Sequence, residues 1–400
     1  MLLIHIILSI LFIYLSVCVI YAFIFSLAGA LGKIKKSPSS ENYKKFAVLI
    51  PCYKDDFVIL KTAADALKQT YPKAFYDVVV IADALKPETI IALKKLPLKV
   101  LEVSFELSTK AKSLNEAFRQ LPEAYDYALI LDADNLMAPD FIYKLNAVMD
   151  KTGAKAIQGH RVAANLNTNF AILDAVSEEV NNHIYRKGHR VLGLSSGLIG
   201  SGMAFDYSYF KNLMAGNKAI GGFDKESELK ILRDKIRIEY AEDALVFDEK
   251  VENPEVFGNQ RRRWISAQLH YFKKYFLSGF YHLFTRGNID FFDKAFQQFL
   301  LPRAMVLAMV FLMAGVAFVS EYIFDWLFYP GFIFWFFIML LNCIGLMLAI
   351  PGRFYNKKTL KAVSQLPKAI LIMFLTIFRL KGANKKFIHT PHSGHIDINP

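Results

Sequence analysis

The chain has 400 residues, of which 54% are apolar and 21% charged, with 35 Phe, 19 Tyr and a net charge of +12 at pH 7. So many aromatic residues exclude an intrinsically disordered chain, and the lack of a regular Gly repeat excludes a collagen-like one. The mean hydropathy is positive, which is typical of membrane proteins. The positive charge fits nucleic acid, a membrane surface or an anionic substrate as a partner. The three Cys residues predict no disulfide framework.

Three apolar segments are predicted to cross a membrane. Residues 1–32 contain no Asp, Glu, Lys or Arg, and this run exceeds the roughly 20 residues needed to span a bilayer. We interpret 1–32 as an uncleaved anchor, because a signal peptide would have a basic start and an apolar core of only about 7–15 residues. Two further uncharged runs, Ala304–Ser320 and Trp326–Gly352, predict two transmembrane helices within 304–352.

The distribution of basic residues predicts the orientation of these segments. Lys and Arg cluster after the first segment, at 33–45, and after the last one, at 353–361, whereas the link around Asp325 carries none. Cytoplasmic loops carry such an excess of Lys and Arg. We therefore expect an integral protein of the cell (inner) membrane, with residues 33–303 and the catalytic domain in the cytoplasm.

Further helices are predicted to lie at the membrane surface, in an interfacial region at 265–303. They cover residues 264–284 and 290–300, and in the second one Phe residues recur at helical spacing with Asp293 and Lys294 opposite. A core helix of the soluble domain is the alternative interpretation.

Residues 353–400 are predicted to hold a membrane-proximal helix and a tail. Within 366–380 the uncharged part is Ala369–Phe378, and its ten residues make about 15 Å of helix, too short for a span of about 30 Å. A helix lying in the interface is therefore expected, unless Lys368 and Arg379 extend their charged ends to water.

Strands and helices alternate between the first two membrane segments. The strands are predicted at 46–50, 77–82, 98–103 and 127–131, the first of them ended by Pro51, and the helices at 58–69, 87–95 and 111–120. Such alternation predicts βαβ units. The expected fold class is α/β, with a mainly parallel sheet domain over residues 33–264.

Carboxylates follow several of the predicted strands. Asp55 lies after the first strand, Asp83 after the second, and Asp132 and Asp134 after the fourth. In open α/β sheets ligands bind beyond the carboxyl ends of the strands. Carboxylates that lie close together there repel one another unless a cation lies among them. Oxygen ligands suit Mg²⁺ or Mn²⁺, so we predict one of these as cofactor. A Gly-rich phosphate loop does not follow the first strand.

These elements, followed by Gln260-Arg-Arg-Arg-Trp264, resemble the membrane-embedded family 2 glycosyltransferases, which include cellulose, chitin and hyaluronan synthases. The resemblance runs from about Phe46 to Trp264. It implies a GT-A-like domain and metal-dependent, inverting transfer of a sugar from a UDP-sugar onto a growing polysaccharide by a processive β-glycosyltransferase. Transfer to a lipid acceptor, such as polyprenyl phosphate or a glycolipid, is the alternative.

The resemblance also implies a role for each residue that matches a family motif. It assigns substrate contacts to Tyr53, Asp55, Asp83, Lys110, Asp132, Gln260, Arg263 and Trp264, and metal binding to Asp134. Among these, Tyr53, Asp55 and Asp83 would hold the uridine, Arg263 the pyrophosphate and Trp264 an acceptor sugar. By itself Lys110 would be read as a solvated lysine, and Trp264 as an aromatic anchor at the membrane interface.

The catalytic base is the point at which the chain departs from the family pattern. The family's Thr-Glu-Asp aligns with a segment in which Glu226 replaces the Asp, between Gly221-Gly222 and Glu228-Leu229. Glu226 is therefore the expected base. Asp224 and the pair Glu242-Asp243 are its alternatives.

The expected partners are a UDP-sugar donor, a polysaccharide or glycolipid acceptor, and the lipid bilayer. Three membrane segments are few for a channel, so a homo-oligomer or an accessory export partner would complete it. A nucleic-acid partner is not expected, because much of the positive charge borders the membrane segments. The tail Ala383–His392 loosely resembles the gating loop of the family; a basic tail or a His metal tract are its alternatives.

Overall fold

The computed structural model describes residues 2–217, 219 and 221–380, and the predicted gating loop Ala383–His392 lies outside them. One sheet is formed by β1 Phe46–Tyr53, β2 Tyr76–Asp83, β3 Lys99–Val103, β4 Tyr127–Ile130, β5 Leu136–Met137, β6 Ala156–Ala163, β7 Met203–Asp206 and β8 Ile238–Asp248. Their order is β3-β2-β1-β4-β7-β6-β8-β5. The pairs β3/β2, β2/β1, β1/β4 and β6/β8 are parallel, and the other three described pairs are antiparallel. The predicted α/β class is confirmed, with a sheet that is mixed but mostly parallel.

The described helices surround this sheet and continue beyond it. They are α1 Leu2–Leu31, α2 Asp56–Ala66, α3 Pro87–Lys94, α4 Lys110–Gln120, α5 Phe141–Thr152, α6 Asn169–Asn181, α7 His189–Val191, α8 Tyr207–Ala215, α9 Phe223–Arg233, α10 Pro254–Arg286, α11 Ile289–Gln297, α12 Arg303–Tyr322, α13 Phe332–Ala349, α14 Lys357–Val363 and α15 Leu366–Ile377. A π-helix, Asn182–Gly188, joins α6 to α7.

Strand β1 continues through Pro51, where the sequence predicted that it would end. The backbone carbonyls of Lys45 and Leu49 accept hydrogen bonds from Tyr127 and Leu131, so the backbone groups of odd-numbered residues in β1 point toward β4, and the β1/β4 pairing ends at Leu49. Pro51 has no N–H to donate toward β4, but it lies beyond the last β1/β4 pair. No hydrogen bond of the ladder is therefore lost. On its other side β1 stays paired with β2 as far as Tyr53 and Asp83.

Two apolar layers cover the two faces of the sheet. Ala47 and Leu49 of β1 pack on one face with α4, α8 and α9, and Val48 and Ile50 pack on the other with α2 and α5. These side chains are fully buried. Strands buried on both faces consist of continuous apolar residues, which is why β1 is recognisable in the sequence.

Three described helices, α1, α12 and α13, are long and apolar enough to cross a membrane, and they cover the three predicted segments. They pack on one another through a separate apolar cluster that includes Leu15, Val310 and Trp335. The predicted membrane-proximal helix corresponds to α15, which meets α14 at a bend of 42°; by length and composition the pair fits a broken span or a re-entrant loop.

The two predicted interfacial helices differ from the expectation. Helix α10 begins at Pro254, capped by the Asn253 side chain, which accepts the N–H of Val256 at 3.0 Å, so it crosses the boundary expected after residue 264. In α11 two residues expected to face away from the Phe side, Asp293 and Lys294, are buried, as is Phe291. Their burial shows that α11 is packed on both of its sides.

Candidate active site

The carboxyl ends of β1, β2 and β4 meet at one edge of the sheet. Tyr53, the last residue of β1, is in register with Asp83, the last residue of β2. Past the end of β4, the Leu131 N–H donates to the Leu49 carbonyl oxygen at 3.0 Å, and the chain then delivers Asp132 and Asp134. Parallel pairing thus brings the predicted donor-side residues to one place.

Asp83 has a buried carboxylate oxygen, Oδ2, with no hydrogen-bond partner among the described residues. Its backbone carbonyl accepts the Lys54 N–H at 3.2 Å, and Lys54 has a left-handed backbone with φ of 59°. Burial raises the pKa of Asp83, against a hydrogen bond from Ser108 and the charge of Lys54. A buried oxygen without a donor is costly, so this position suits a ligand N–H or O–H.

Lys110 is held inside the site. Its ammonium forms an ion pair with Asp132 and donates to the Gly200 carbonyl oxygen at 2.7 Å. The Asp132 N–H donates to Ser201 Oγ at 2.9 Å. Lys110 therefore joins α4, the loop after β4 and the segment before β7, whereas the sequence alone suggested a solvated lysine.

Asp132 and Asp134 are the carboxylates that could act as ligands of a divalent cation. Asp134 is only 7% exposed. No group of three His, Cys, Asp or Glu side chains among the described residues could hold a metal by itself. Mg²⁺ at phosphate sites commonly takes one or two protein carboxylates, with substrate phosphates and water as the other ligands. The pair therefore fits a metal held jointly with a diphosphate.

A buried ionic network supports this edge from below. Arg161 pairs with Glu178 at 2.8 Å and with Asp248 at 3.7 Å, and Lys250 pairs with Asp248 at 2.6 Å. Asp248 also accepts from Asn135 Nδ2 at 2.9 Å, which fixes the loop that carries Asp134. Burial would raise the pKa of Glu178, but Arg161 and Lys250 outweigh it and hold that pKa well below its usual range.

Gln260, Arg263 and Trp264 lie on one face of α10, because they are three and four residues apart. Gln260 Oε1 is buried with no hydrogen-bond partner among the described residues. Burial lowers the pKa of Arg263, and the nearby charge of Asp132 opposes that shift. The structure thus brings Arg263 close to the carboxyl edge of the sheet.

The neighbouring Arg261 has a structural role in the same helix. It forms a buried ion pair with Asp174 of α6, and its guanidinium lies 4.3 Å from the centroid of the Trp264 ring. Trp264 remains 41% exposed. An exposed indole held on one side by a fixed cation can still offer its other face to a ligand.

The candidate bases lie on different sides of α9. Asp224 borders Gly200, where an added Cβ would come within 3.9 Å of the Asp224 side chain. Burial raises the pKa of Asp224, mainly against the charge of Lys225. Glu226 instead accepts from Lys274 of α10 at 2.9 Å and pairs with Lys230 at 3.2 Å. Burial would raise the pKa of Glu226, but these lysines lower it.

The remaining candidates, Glu242 and Asp243, lie on β8 and bind structural partners from other elements. Glu242 pairs with Lys187 at 3.0 Å. Asp243 accepts from Ser37 Oγ at 2.7 Å, which fastens the segment after α1 to the sheet.

Two residues that build the site were given no role of their own from the sequence, although the Gly200–Phe205 segment resembles the part of the family that lines the acceptor side. Ser201, which accepts the Asp132 N–H, lies within a Gly-x-Gly segment, and a Ser between two left-handed glycines is a signal for a backbone-binding loop. Asp248 is the last residue of β8. The signal for it was a carboxylate at a strand end, the same pattern that identified Asp83.

Residues 44–267 match the family described as glycosyltransferase like family 2. The chain belongs to this family. No curated protein sequence matches the chain. The matched residues contain the sheet, its carboxyl edge and the Gln260–Trp264 face of α10, so the edge lies in a glycosyltransferase domain.

Two solved structures align with this family 2 glycosyltransferase. The mannosyltransferase PcManGT from Pyrobaculum calidifontis, in complex with GDP-Man and Mn²⁺, aligns with a TM-score of 0.52 at 17% identity, over 88% of this chain and 99% of its own. The S. aureus TarS 1–349 structure aligns with a TM-score of 0.40 at 15% identity, over 85% of this chain and 90% of its own. At 17% identity the first alignment shows the fold alone. The finer assignment to cellulose, chitin or hyaluronan synthases is not shown by these matches.

Proposed function

We propose that the protein transfers a sugar, with inversion, from a nucleotide-sugar onto an acceptor at the membrane surface. The observation that carries the proposal is the convergence of Asp132, Asp134, Lys110 and Arg263 at one edge of the family 2 domain, in a chain with three helices able to span a membrane. Two carboxylates and two cations suit a metal-bound diphosphate leaving group.

The nucleotide would bind at the ends of β1 and β2. Tyr53 and Asp55 border this position, and the partnerless oxygen of Asp83 would accept a hydrogen bond from the base or the ribose. Lys110 and Arg263 would lie beside the diphosphate, where the planar guanidinium of Arg263 suits phosphate oxygens. Asp132 and Asp134 would hold Mg²⁺ or Mn²⁺, which neutralises charge that develops on the leaving diphosphate.

The acceptor hydroxyl must lose a proton, and we propose Asp224 for that role in place of Glu226. Asp224 lies on the side of α9 that faces Gly200 and Lys110, and its pKa is raised, which makes the carboxylate a stronger base. Glu226 is paired with two lysines on the other side. The partnerless Gln260 oxygen and the exposed Trp264 ring would contact the acceptor sugar.

The acceptor would be a growing polysaccharide, as the Gln260–Trp264 motif favours, and a lipid acceptor is the second candidate. Helices α10 and α15 support the lipid acceptor, because they join the catalytic domain to the apolar cluster of Phe257, Met305 and Met373. The product would then be made at the membrane surface.

Donor turnover by the purified full chain in lipid nanodiscs tests the proposal. UDP-glucose, UDP-N-acetylglucosamine and GDP-mannose are each supplied with Mn²⁺, and the release of UDP or GDP is followed. One donor should be consumed with Mn²⁺ and should stay intact with EDTA. Extraction of the products into organic solvent then distinguishes a lipid acceptor from a polymer acceptor. If every donor stays intact in nanodiscs and in native membranes, the proposal is contradicted.

A further inference from the structure

The loop that precedes β7, residues 195–202, is largely buried although it belongs to neither a helix nor a strand. Its fully buried residues include Ser195, Ser196, Leu198 and Ser201. Backbone N–H and C=O groups in a buried loop need partners, and side chains supply several of them here. The Ile199 N–H donates to Gln158 Oε1 at 3.1 Å, and the Gly197 carbonyl oxygen accepts from Arg186 Nε at 3.3 Å. Neighbouring elements thus fix the course of this loop.

Two charged side chains of α9 hold the middle of the loop at Leu198. The Leu198 N–H donates to Glu228 Oε1 at 3.2 Å, and the Leu198 carbonyl oxygen accepts from Lys225 Nζ at 3.2 Å. Lys225 Nζ also donates to Glu228 Oε2 at 3.0 Å. Lys225 and Glu228 are three residues apart, so they lie on one face of α9. We call these two side chains and the Leu198 backbone the α9 clamp.

Folding stability alone does not explain the α9 clamp. Glu228 is fully buried. Burial removes water from both charges, and their attraction offsets this cost only in part, so a buried ion pair usually adds little to stability. Charge-assisted hydrogen bonds do, however, fix the geometry of the groups that they join. The clamp therefore serves to hold the loop in one place relative to α9.

Beyond Leu198 the loop binds the donor side of the sugar-transfer site. The Gly200 carbonyl oxygen accepts from Lys110 at 2.7 Å, and Ser201 Oγ accepts the Asp132 N–H at 2.9 Å. Lys110 and Asp132 are the residues proposed to lie beside the diphosphate and its metal. The loop therefore connects α9 to the donor side of the site.

Helix α9 also carries the proposed base. Asp224 directly precedes Lys225 and borders Gly200, where an added Cβ would lie 3.9 Å from the Asp224 side chain. The clamp thus fastens α9 to the loop next to the base. A shift of the loop against α9 would change the distance from Asp224 to the donor side. The proposed nucleotide contacts on β1 and β2 would stay in place.

We propose that Lys225 and Glu228 are positioning residues, which hold Asp224 at a fixed distance from the donor sugar. This proposal rests on the proposed function, in which Asp224 is the base. In the transfer step the acceptor oxygen bonds to the anomeric carbon, the bond from that carbon to the diphosphate breaks, and the acceptor proton moves to Asp224. A misplacement of about 1 Å can slow such an aligned reaction about 10²-fold. Water is small and can approach from more positions, so hydrolysis of the donor depends less on this alignment.

The partition of the donor sugar between transfer and hydrolysis tests the proposal. Membranes from cells that express the full chain receive the accepted nucleotide-sugar, labelled in the sugar, together with Mn²⁺. Label in the product and label released as free sugar are both counted, and membranes with Asp134→Asn give the background. The ratio of transfer to hydrolysis does not depend on how much of a variant folds, so a loss of stability alone leaves it unchanged.

Two variants open the clamp from its two sides. Lys225→Met and Glu228→Gln should each lower the ratio at least about tenfold, while nucleotide affinity stays near that of the wild type. Burial raises the pKa of Asp224, Lys225 opposes this shift and Glu228 adds to it, so the two variants change the strength of the base in opposite directions. A fall of the ratio in both is therefore an effect of position. Lys225→Arg keeps donors for Leu198 and Glu228 and should retain most of the ratio.

The matched control is Lys230→Met, which also removes a lysine of α9 from an ion pair. The partners of Lys230 are Glu226 at 3.2 Å and the Gly216 carbonyl oxygen at 3.1 Å, which lie outside residues 195–202. Lys230→Met should therefore keep the wild-type ratio.

Three results would overturn the positioning role. If Lys225→Met and Glu228→Gln keep the wild-type ratio, or slow transfer and hydrolysis equally, the clamp is only structural and the proposed function stands. An equal fall of the ratio in Lys230→Met would make the effect a general one of α9. If the wild type leaves every donor intact, the proposed function is contradicted and the positioning role with it.

Discussion

Asp224 and Glu226 are two residues apart on α9, so their side chains point to nearly opposite sides of the helix. Only one of them can face the edge where Asp132 and Lys110 meet. The neighbours decide which: Asp224 borders Gly200, whose carbonyl binds Lys110, whereas Glu226 binds Lys274 on α10. Motif alignment alone selected Glu226, because it compares spacing along the chain and contains no information on which side of a helix faces the substrate.

Asp224→Asn should reduce sugar transfer by about 10²–10⁴-fold, the range for loss of a positioned base. Nucleotide binding should survive, because the proposed nucleotide contacts lie on β1 and β2. Glu226→Gln, the matched amide variant on the other side of α9, should lower stability through loss of its two ion pairs while most transfer activity remains. Transfer rates and nucleotide affinity are measured on both variants. Inactive Glu226→Gln together with active Asp224→Asn would restore Glu226 as the base.

At the scale of elements, the predictable parts were those whose local pattern agrees with their burial. Strand β4 was predicted within one residue, because its apolar residues are buried on both faces. Strand β6 was not predicted, since it includes Gln158, His160 and Arg161, which are paired with groups distant in the chain. Such polar partners are invisible to a pattern of apolar residues.

The junction between α1 and the catalytic domain depends on a neutral histidine. His189 is buried against Phe25 of α1, with ring centroids 3.6 Å apart, and its Nε2 lies 3.0 Å from the Tyr21 hydroxyl. The titratable groups that face it are Tyr21, Tyr185, Asp293 and Lys294. Burial lowers the pKa of His189, Lys294 adds to this shift, and Asp293 opposes it.

The lowered pKa of His189 predicts that stability falls on acidification. The unfolded chain binds the proton first, near pH 6.5, so the contribution to stability is complete above that pH and is lost as the pH falls through the lower folded pKa. Tm should therefore decrease between pH 7 and pH 5, and less steeply in His189→Gln. The control is His270→Gln, at an exposed position on α10. Equal slopes for the wild type and His189→Gln would contradict this account.

For the whole molecule, composition predicted the three long apolar helices well, because long uncharged runs are easily recognised in a sequence. The antiparallel half of the sheet was harder to predict from the sequence. Strand β7 lies between β4 and β6 in a register that depends on contacts between distant segments. The helix α10 was predicted too short, because the motif Gln260–Trp264 was read as a site and not as part of the helix that carries it. A functional motif and a regular helix occupy the same residues here.

The predicted orientation places the catalytic domain in the cytoplasm, where nucleotide-sugars are available. Lys112 and Asp325 are exposed, and the predicted orientation puts them on opposite sides of the membrane. In intact cells a membrane-impermeant maleimide should label Asp325→Cys and spare Lys112→Cys, and the pattern should reverse in inverted vesicles. The wild type is the background control, because Cys343 is partly exposed whereas Cys18 and Cys52 are buried. Labelling of Lys112→Cys in intact cells would contradict the orientation.

The central claim is that the carboxyl edge of the sheet binds a nucleotide diphosphate through a metal held by Asp134. Calorimetric titration of UDP and GDP into the purified full chain, with Mn²⁺ or with EDTA, measures this directly. We expect one nucleotide to bind at least tenfold more tightly with Mn²⁺, and Asp134→Asn to lose that difference. Activity of Asp134→Asn should fall at least about 10²-fold, or roughly 2.7 kcal/mol. The control Asp234→Asn, at the exposed end of α9, should bind like the wild type. Equal nucleotide affinity with Mn²⁺ and with EDTA in the wild type would contradict the claim.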